Sequence, residues 1–257
     1  NRIASKLIQK LKAPDVKRLL VRAREAYKER GIRCVVHSGI KVFFSMLISD
    51  TIKCYYYKMF KPKSFTFQGQ IHNYFYHRYG RTWENERSVE VPIIWEMVKK
   101  YQEGSVLEVG NVLSHYFPVQ HDILDKYEKA HGVINQDVVD FQPPKKYGLI
   151  VSISTLEHVG WDEKPKNPPK ILHAIENLRT KCLAPRGKIV ATLPLGYNSY
   201  MDKLLKKRKM PFTKKYYLKR VSYNSYIEVD WKDLCEVKFG HPFPYANGLV
   251  IGIIESD

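Results

Sequence analysis

Three acidic residues stand at the ends of successive apolar runs, and their order is the first sign of chemistry in this chain. The run Ser105-Val-Leu-Glu-Val-Gly110 carries Glu108 and Gly110 where an apolar strand would end. In an open α/β sheet that carboxyl edge is where ligands sit, and a glycine there lets backbone approach a ligand closely. Asp125 follows 17 residues after Glu108, at the end of a second apolar run. One carboxylate can accept from both hydroxyls of a ribose, so an acid at that step suits a nucleoside; Glu128 is the fallback for the role. Asp137, in Ile134-Asn-Gln-Asp-Val-Val-Asp140, supplies an acid at the next turn and could accept from the exocyclic amine of adenine. Singly, each would be an ordinary cap or turn residue. Three in order favour a shared ligand. Neither G-x-G-x-x-G nor a phosphate loop ending in Gly-Lys-Ser/Thr is present, which argues against dinucleotide and nucleoside triphosphate sites.

Positioning such residues requires a sheet, and the pattern after Ser105 supplies one: short apolar runs alternate with polar helical stretches, as in a parallel α/β sheet. Strands are expected at Val106–Val109, Ile123–Lys126, Leu149–Ser152, Lys188–Leu193, near Tyr226–Val229, and at Leu249–Ile254. Lys170 to Cys182 reads as a crossover helix, closed by Pro185-Arg186-Gly187. Upstream, Asn85 to Gln102 reads as an amphipathic helix through Val89, Ile93, Ile94, Met97 and Val98. The lead-in from Ser64 to Trp83 is dense in aromatics with polar tips.

The 257 residues suffice for one large α/β domain with an appendage, and 44% hydrophobic with 27% charged residues excludes a largely disordered chain. Four separated cysteines, Cys34, Cys54, Cys182 and Cys235, exclude a zinc ribbon or a disulfide scaffold and point to reduced thiols in a cytoplasmic setting. The net charge of +17 is unevenly spread. Residues 1–63 hold sixteen Lys and Arg against four acids, and residues 202–220 hold nine against Asp202, leaving the rest slightly acidic. Residues 1–30 read as two basic amphipathic helices broken at Pro14, suited to a solvated face or linker, to a membrane surface, or to a phosphate backbone. The apolar stretch Cys34–Phe60, with Tyr55, Tyr56 and Tyr57, is expected to pack on the main domain, and no run reaches the ~20 apolar residues that span a bilayer. An opening Asn1 reads as an excised domain or processed product.

At this point the sequence resembles the class I S-adenosylmethionine (SAM)-dependent methyltransferases. The resemblance rests on VLEVG, an acid after the second strand, QDVVDF, LIVSISTLEHVGWD and GKIVATLPLGYN, over residues 105 to 257. It implies a Rossmann-like seven-stranded α/β sheet with helices on both faces and a reversed last hairpin, to which the two C-terminal strands would belong. It implies that Glu108, Gly110 and Asn111 form the first cofactor loop, Asp125 is the ribose acid, Asp137 with Val138 lies beside adenine, and Ser154 to Leu156 pass beneath the methionine part. The first loop has one glycine where the family has two or three, Gly148 stands where Asp is common, and the interval to Asp125 is short for a full helix.

Methyl transfer is an in-line displacement, so the enzyme aligns donor and acceptor and can remove the acceptor's proton. His158 sits where the family places a residue beside the methyl group, either as a base or as a residue that only packs or holds the cofactor; Asp162, Glu163, His115 and His77 are the other polar candidates. Some relatives bind a divalent ion through E-x-x-E-H here; this chain has Ser154 for the first Glu, so a metal at Glu157 and His158 stays open. Ser-Thr-Leu-Glu in place of Asn/Asp-Pro-Pro-aromatic argues against DNA bases. Tyr197, Tyr200 and the basic segment 202–220 fall where the family often carries substrate-recognition insertions. The lead-in around HNYFYHRYGRTW resembles methyltransferases of glycan assembly, some fused to glycosyltransferases. Its rings could stack on sugars or pack as core.

The expectation is therefore a basic, mainly helical appendage or linker at 1–63 and a methyltransferase domain at 64–257, with lead-in and helix at 64–104 and core at 105–257. The favoured activity is O-methylation of a sugar hydroxyl in a glycan, nucleotide- or lipid-linked, by a cytoplasmic enzyme that could touch a membrane through residues 1–30 and belong to a larger multidomain chain. An RNA methyltransferase using both basic segments and a non-catalytic binding module on the same fold are the alternatives.

Overall fold

A computed structural model describes residues 49–234 and 236–256. The chain divides into two compact units, Asn1–Lys53 and Cys54–Asp257. The expected helices over 1–30, Cys235 and residues 34–48 of the apolar stretch Cys34–Phe60 lie outside the described residues.

Apolar runs of β-branched residues build the sheet of the second unit. Its strands are β3 (Val106–Val109), β4 (Asp122–Leu124), β5 (Val133–Ile134), β6 (Tyr147–Ile153), β7 (Leu183–Pro194), β8 (Lys214–Ser222), β9 (Ser225–Glu228) and β10 (Gly248–Glu255). They lie in the order β5-β4-β3-β6-β7-β10-β8-β9. The five strands from β5 to β7 are parallel, and β10 runs antiparallel between β7 and β8. Strand order reverses between β3 and β6, so the carboxyl ends of these two strands flank the topological switch point. This is the α/β Rossmann-like arrangement of the class I methyltransferases, with β9 added as an eighth, edge strand.

Alternation along β6 shows why both faces are covered. Leu149, Val151 and Ile153 pack with α1 (Arg87–Lys100) and the aromatic lead-in, while Tyr147 and Ile150 pack with α2 (Lys170–Asn177) and α3 (Ser199–Lys206). Two buried faces explain why the central strands read as continuous apolar runs. A π-helical turn, Leu178–Cys182, ends the expected crossover helix. The β3–β4 connection holds only a short 3-10 turn, Leu113–His115, in keeping with the short interval noted in the sequence.

Several expectations are corrected. The reversed last hairpin pairs β10 with β8, not with the strand near Tyr226, and β8 begins in the basic segment 202–220 and runs to Ser222. That segment is therefore no insertion: it supplies α3 and a sheet strand, with its charges largely on their outer faces. The lead-in folds as a hairpin, β1 (Ser64–Phe67) and β2 (Gln70–Asn73), turned at Gln68 and Gly69, both with positive φ. Phe65, Phe67, His72, Tyr74, Tyr76 and Trp83 are all buried, so most of the rings considered for sugar stacking are core. The Tyr76 hydroxyl donates to Pro62 O at 2.9 Å, and the Tyr226 amide donates to the Tyr74 hydroxyl at 2.8 Å. Between Lys53 and Lys61, Cys54 is buried and Tyr57 meets Tyr76 and Trp83, but Tyr55, Tyr56, Met59 and Phe60 face outward, against the expectation that this stretch packs away. No described helix is long and apolar enough to cross a membrane.

Candidate active site

The first loop is organised by Glu108. Its side chain is fully buried, Oε1 accepts from the amides of Val112 and Leu113 at 2.8 Å each, and Oε2 lies 2.9 Å from His121 Nε2. Both oxygens are used inside the protein, so Glu108 fixes the path of the loop. Gly110 has φ +87°, and a Cβ on it would lie 2.2 Å from Thr155 Oγ1. The Thr155 side chain occupies the space beside Gly110 that a Cβ would enter. Asn111 donates its amide to Asp125 Oδ2 at 3.2 Å and accepts from the Ser114 hydroxyl through Oδ1.

Asp125 stands just past the end of β4. Its Oδ1 accepts from the amides of Tyr127 and Glu128 at 2.8 Å each, and among the described residues its Oδ2 takes the long bond from Asn111 alone. A carboxylate offers about four lone-pair directions, so Oδ2 keeps capacity for a further donor. Glu128, the fallback, lies 3.3 Å from His115 Nε2.

Asp137 is differently placed. Its Oδ2 takes Lys126 Nζ at 2.7 Å and Lys170 Nζ at 2.6 Å, and its Oδ1 accepts from the Val139 amide at 3.2 Å. Glu163 completes the cluster, 2.7 Å from Lys170 and 3.2 Å from Lys126. Burial works against the Asp137 charge, but the two lysines outweigh it and hold the carboxyl below its ordinary range. Val138 is core, its carbonyl accepting from Asn177 Nδ2.

His158 ends a short 3-10 turn, Leu156–His158, just beyond β6. Its Nδ1 lies 2.6 Å from Asp162 Oδ2, and the Tyr197 hydroxyl donates to the same oxygen at 2.6 Å. Tyr197 packs edge-on against His158 with ring centroids 4.8 Å apart and touches Phe239 on its other side. Burial opposes the Asp162 charge, but its two donors hold the carboxyl low. An ionised Asp162 can only accept at Nδ1, which favours the tautomer that carries its proton there and its lone pair on Nε2, on a ring that is 45% exposed.

Beneath this turn Ser154 and Glu157 meet two residues that sequence reasoning missed, Glu90 and Arg87. Glu90 of α1 and Glu157 are 0% and 1% exposed, and each has an Oε2 without a hydrogen-bond partner. Ser154, at φ +39°, turns its hydroxyl inward to donate to Glu90 Oε1. Arg87 Nη1 lies 3.5 Å from Glu90 Oε2 and donates to Ile153 O at 2.9 Å. Burial raises the Glu90 carboxyl to about 7, against the pull of Arg87. Burial also raises Glu157 well above the usual range, with Glu90 adding to the effect. The only trace in the sequence is an acid interrupting the apolar series Val89, Val91, Ile93, Ile94. Ser154 thus secures the strand end, and Glu157 lies 3.6 Å from His158 Nε2. Among the described residues no group of three or more His, Cys, Asp or Glu is arranged to hold a metal ion.

On the other flank, Tyr79 stacks on His115 at 4.6 Å and His77 meets Tyr116 edge-on at 5.2 Å. Burial pushes the Tyr116 hydroxyl up to about 12. These rings pack the lead-in onto the first loop.

No family model matches the sequence, and no curated protein matches it. Solved structures resemble the fold. One is the N-methyltransferase NodS from Bradyrhizobium japonicum WM9 in complex with S-adenosyl-L-homocysteine, at 12% identity and a TM-score of 0.41, over 66% of this chain and 87% of that one. A TehB-like SAM-dependent methyltransferase from Corynebacterium glutamicum ATCC 13032 shares 16% identity, with a TM-score of 0.35 over 65% of this chain and 86% of that one. The CurJ carbon methyltransferase shares 14%, with a TM-score of 0.36 over 65% and 53%. Their reactions differ from one another, and strand order carries the fold without them.

Proposed function

We propose that this chain is a SAM-dependent O-methyltransferase that acts on a sugar hydroxyl of a glycan, with His158 as the base. The observation that carries the reading is the Asp162–His158 pair at the carboxyl edge of β6. With Nδ1–H held by Asp162, Nε2 is free to take the proton of a hydroxyl, and Asp162 stabilises the imidazolium that forms. Tyr197 keeps the Asp162 oxygen in place, and the Tyr197 ring beside His158, backed by Phe239, suits the C–H face of a sugar. When bound, SAM supplies a methyl group on a sulfonium centre. Asp125 fits its ribose hydroxyls, because Oδ2 has capacity left, and the Gly110–Asn111 loop held by Glu108 would flank it. The adenine end fits less well, since Asp137 is already neutralised by Lys126 and Lys170. The glycan being nucleotide- or lipid-linked, met in the cytoplasm and by part of a larger chain, belongs to the same proposal.

A second reading is favoured by two observations: Thr155 fills the space over Gly110, and two lysines occupy Asp137. Both suit a methyltransferase fold kept as a binding module. Calorimetric titration with S-adenosylhomocysteine, followed by transfer of labelled methyl from SAM to glycan acceptors, separates the readings. Micromolar binding with transfer abolished by His158→Ala is the expected result. Binding without transfer to any acceptor would favour the module, and no binding would overturn the cofactor assignment.

A further inference from the structure

The outward face of residues 54–60 has no part in that chemistry. Cys54 and Tyr57 anchor this helical stretch to the aromatic core, which leaves Tyr55 at 65%, Tyr56 at 47%, Met59 at 65% and Phe60 at 68% exposure. Four large apolar or aromatic side chains within two turns form a contiguous surface that a protein alone in water has reason to cover. From Thr51 to Trp83 the charged residues in the sequence are all basic, and Lys58, Lys61 and Lys63 flank the patch. Lys61 Nζ lies 5.5 Å from the Tyr56 ring, so ammonium and aromatic share one surface. Tyrosines beside apolar side chains, bordered by lysines whose stems lie along the surface, suit the boundary between headgroups and acyl chains. The sequence N-terminal to the patch is also basic, which adds charge of the same sign.

We propose that this face docks on an anionic lipid bilayer surface, with Met59 and Phe60 entering the headgroup boundary and the lysines meeting lipid phosphates. The proposed contact is a surface one, since no described helix is long and apolar enough to cross a membrane and the patch is carried by exposed side chains. It brings the domain to where lipid-linked acceptors are found, but it does not depend on the methyltransferase reading.

The test is co-sedimentation of the full chain with vesicles of phosphatidylcholine alone and of phosphatidylcholine mixed with phosphatidylglycerol. The chain is expected to pellet with the mixed vesicles only, and less as salt rises. The variant Tyr56→Ser/Met59→Ser/Phe60→Ser is expected to lose about tenfold or more of that partitioning at an unchanged thermal midpoint. Undiminished binding by the variant would place the lipid contact in another basic segment and overturn the proposal. So would failure of the wild type to pellet, or a wild-type dimer in gel filtration that the variant converts to monomer. Should the triple variant not fold, Lys58→Glu/Lys63→Glu decides, because both lysines are exposed: retained binding to mixed vesicles overturns the proposal, and lost binding supports it.

Discussion

Glu90→Gln should change the pH dependence of stability strongly. Glu90 is fully buried and its carboxyl is raised from 4.5 to about 7. Below about pH 4.5 the residue is neutral in both the folded and unfolded chain, and its contribution is fully present. Between there and pH 7 the unfolded chain releases the proton while the folded chain keeps it, so stability falls as pH rises. Above pH 7 both states are ionised and the folded state carries the whole penalty. At 1.36 kcal/mol per pH unit, that penalty is about 3 kcal/mol. Glutamine keeps an acceptor for the Ser154 hydroxyl and cannot ionise. The variant should therefore match the wild type near pH 4.5 and exceed it by about 3 kcal/mol at pH 8. Urea unfolding at several pH values, compared as wild type minus variant, cancels the titration of other groups. Parallel curves would refute the reasoning, because they would mean that the folded protein hydrates the Glu90 charge or pairs it fully with Arg87.

Other substitutions probe the site and its supports. Gly110→Ala should destabilise by about 2–4 kcal/mol in urea unfolding, from the positive φ together with the contact on Thr155. Adding Thr155→Ala should return part of that loss, and no recovery would show the strain to be wholly in the backbone. Asp125→Ala should weaken S-adenosylhomocysteine binding by about 10- to 100-fold in calorimetry, the value of a charged acceptor; unchanged affinity removes it from the ribose. Asp162→Asn should cut methyl transfer kcat at least about tenfold while KM and cofactor affinity hold, because amide and imidazole no longer fix the Nδ1–H tautomer. Arg220→Ala should cost about 3–5 kcal/mol in thermal or urea unfolding, since this 4%-exposed side chain donates to the carbonyls of Pro244, Glu84 and Tyr223; a loss under 1 kcal/mol would show that water replaces those bonds.

How far the fold can be read from the sequence depends on whether local pattern and tertiary role agree. β3 is legible to the residue because four apolar-rich positions end in a glycine that must turn, and β6, β10 and the start of α2 are legible for similar reasons. β8 is hidden because its charged side chains, Lys214, Lys215 and Lys219, mask a strand that buries only Leu218 and Arg220. A buried arginine at a strand position looks, in one dimension, like one more basic residue. The hairpin β1–β2 is hidden in the opposite way. Its inward Phe65 and Phe67 merge into a longer aromatic tract whose density suggests a ligand surface. β5 is two residues long and exists only because β4 lies beside it.

The site divides along the same line, and the division bears on what it can do. Position along the chain places Asp125, Asp137 and His158 after successive strands, and the fold carries all three to the carboxyl edge. What each faces is set by residues far away in sequence. Lys170, 33 positions on, neutralises Asp137, and Ser154 is tied to Glu90 across 64 positions. The acids that spacing marks as ligand groups are thus held by protein contacts to very different degrees. Glu108 is fully committed to its loop, Asp137 is committed to two lysines, and Asp125 retains an oxygen with room for a donor. His158 has an acceptor at Nδ1 and an exposed ring. A ligand at this edge would gain most at Asp125 and His158 and would have to displace lysines at Asp137. Cofactor affinity should therefore respond to Asp125 more than to Asp137, an ordering that position in the sequence does not provide and that titration of the two alanine variants can test.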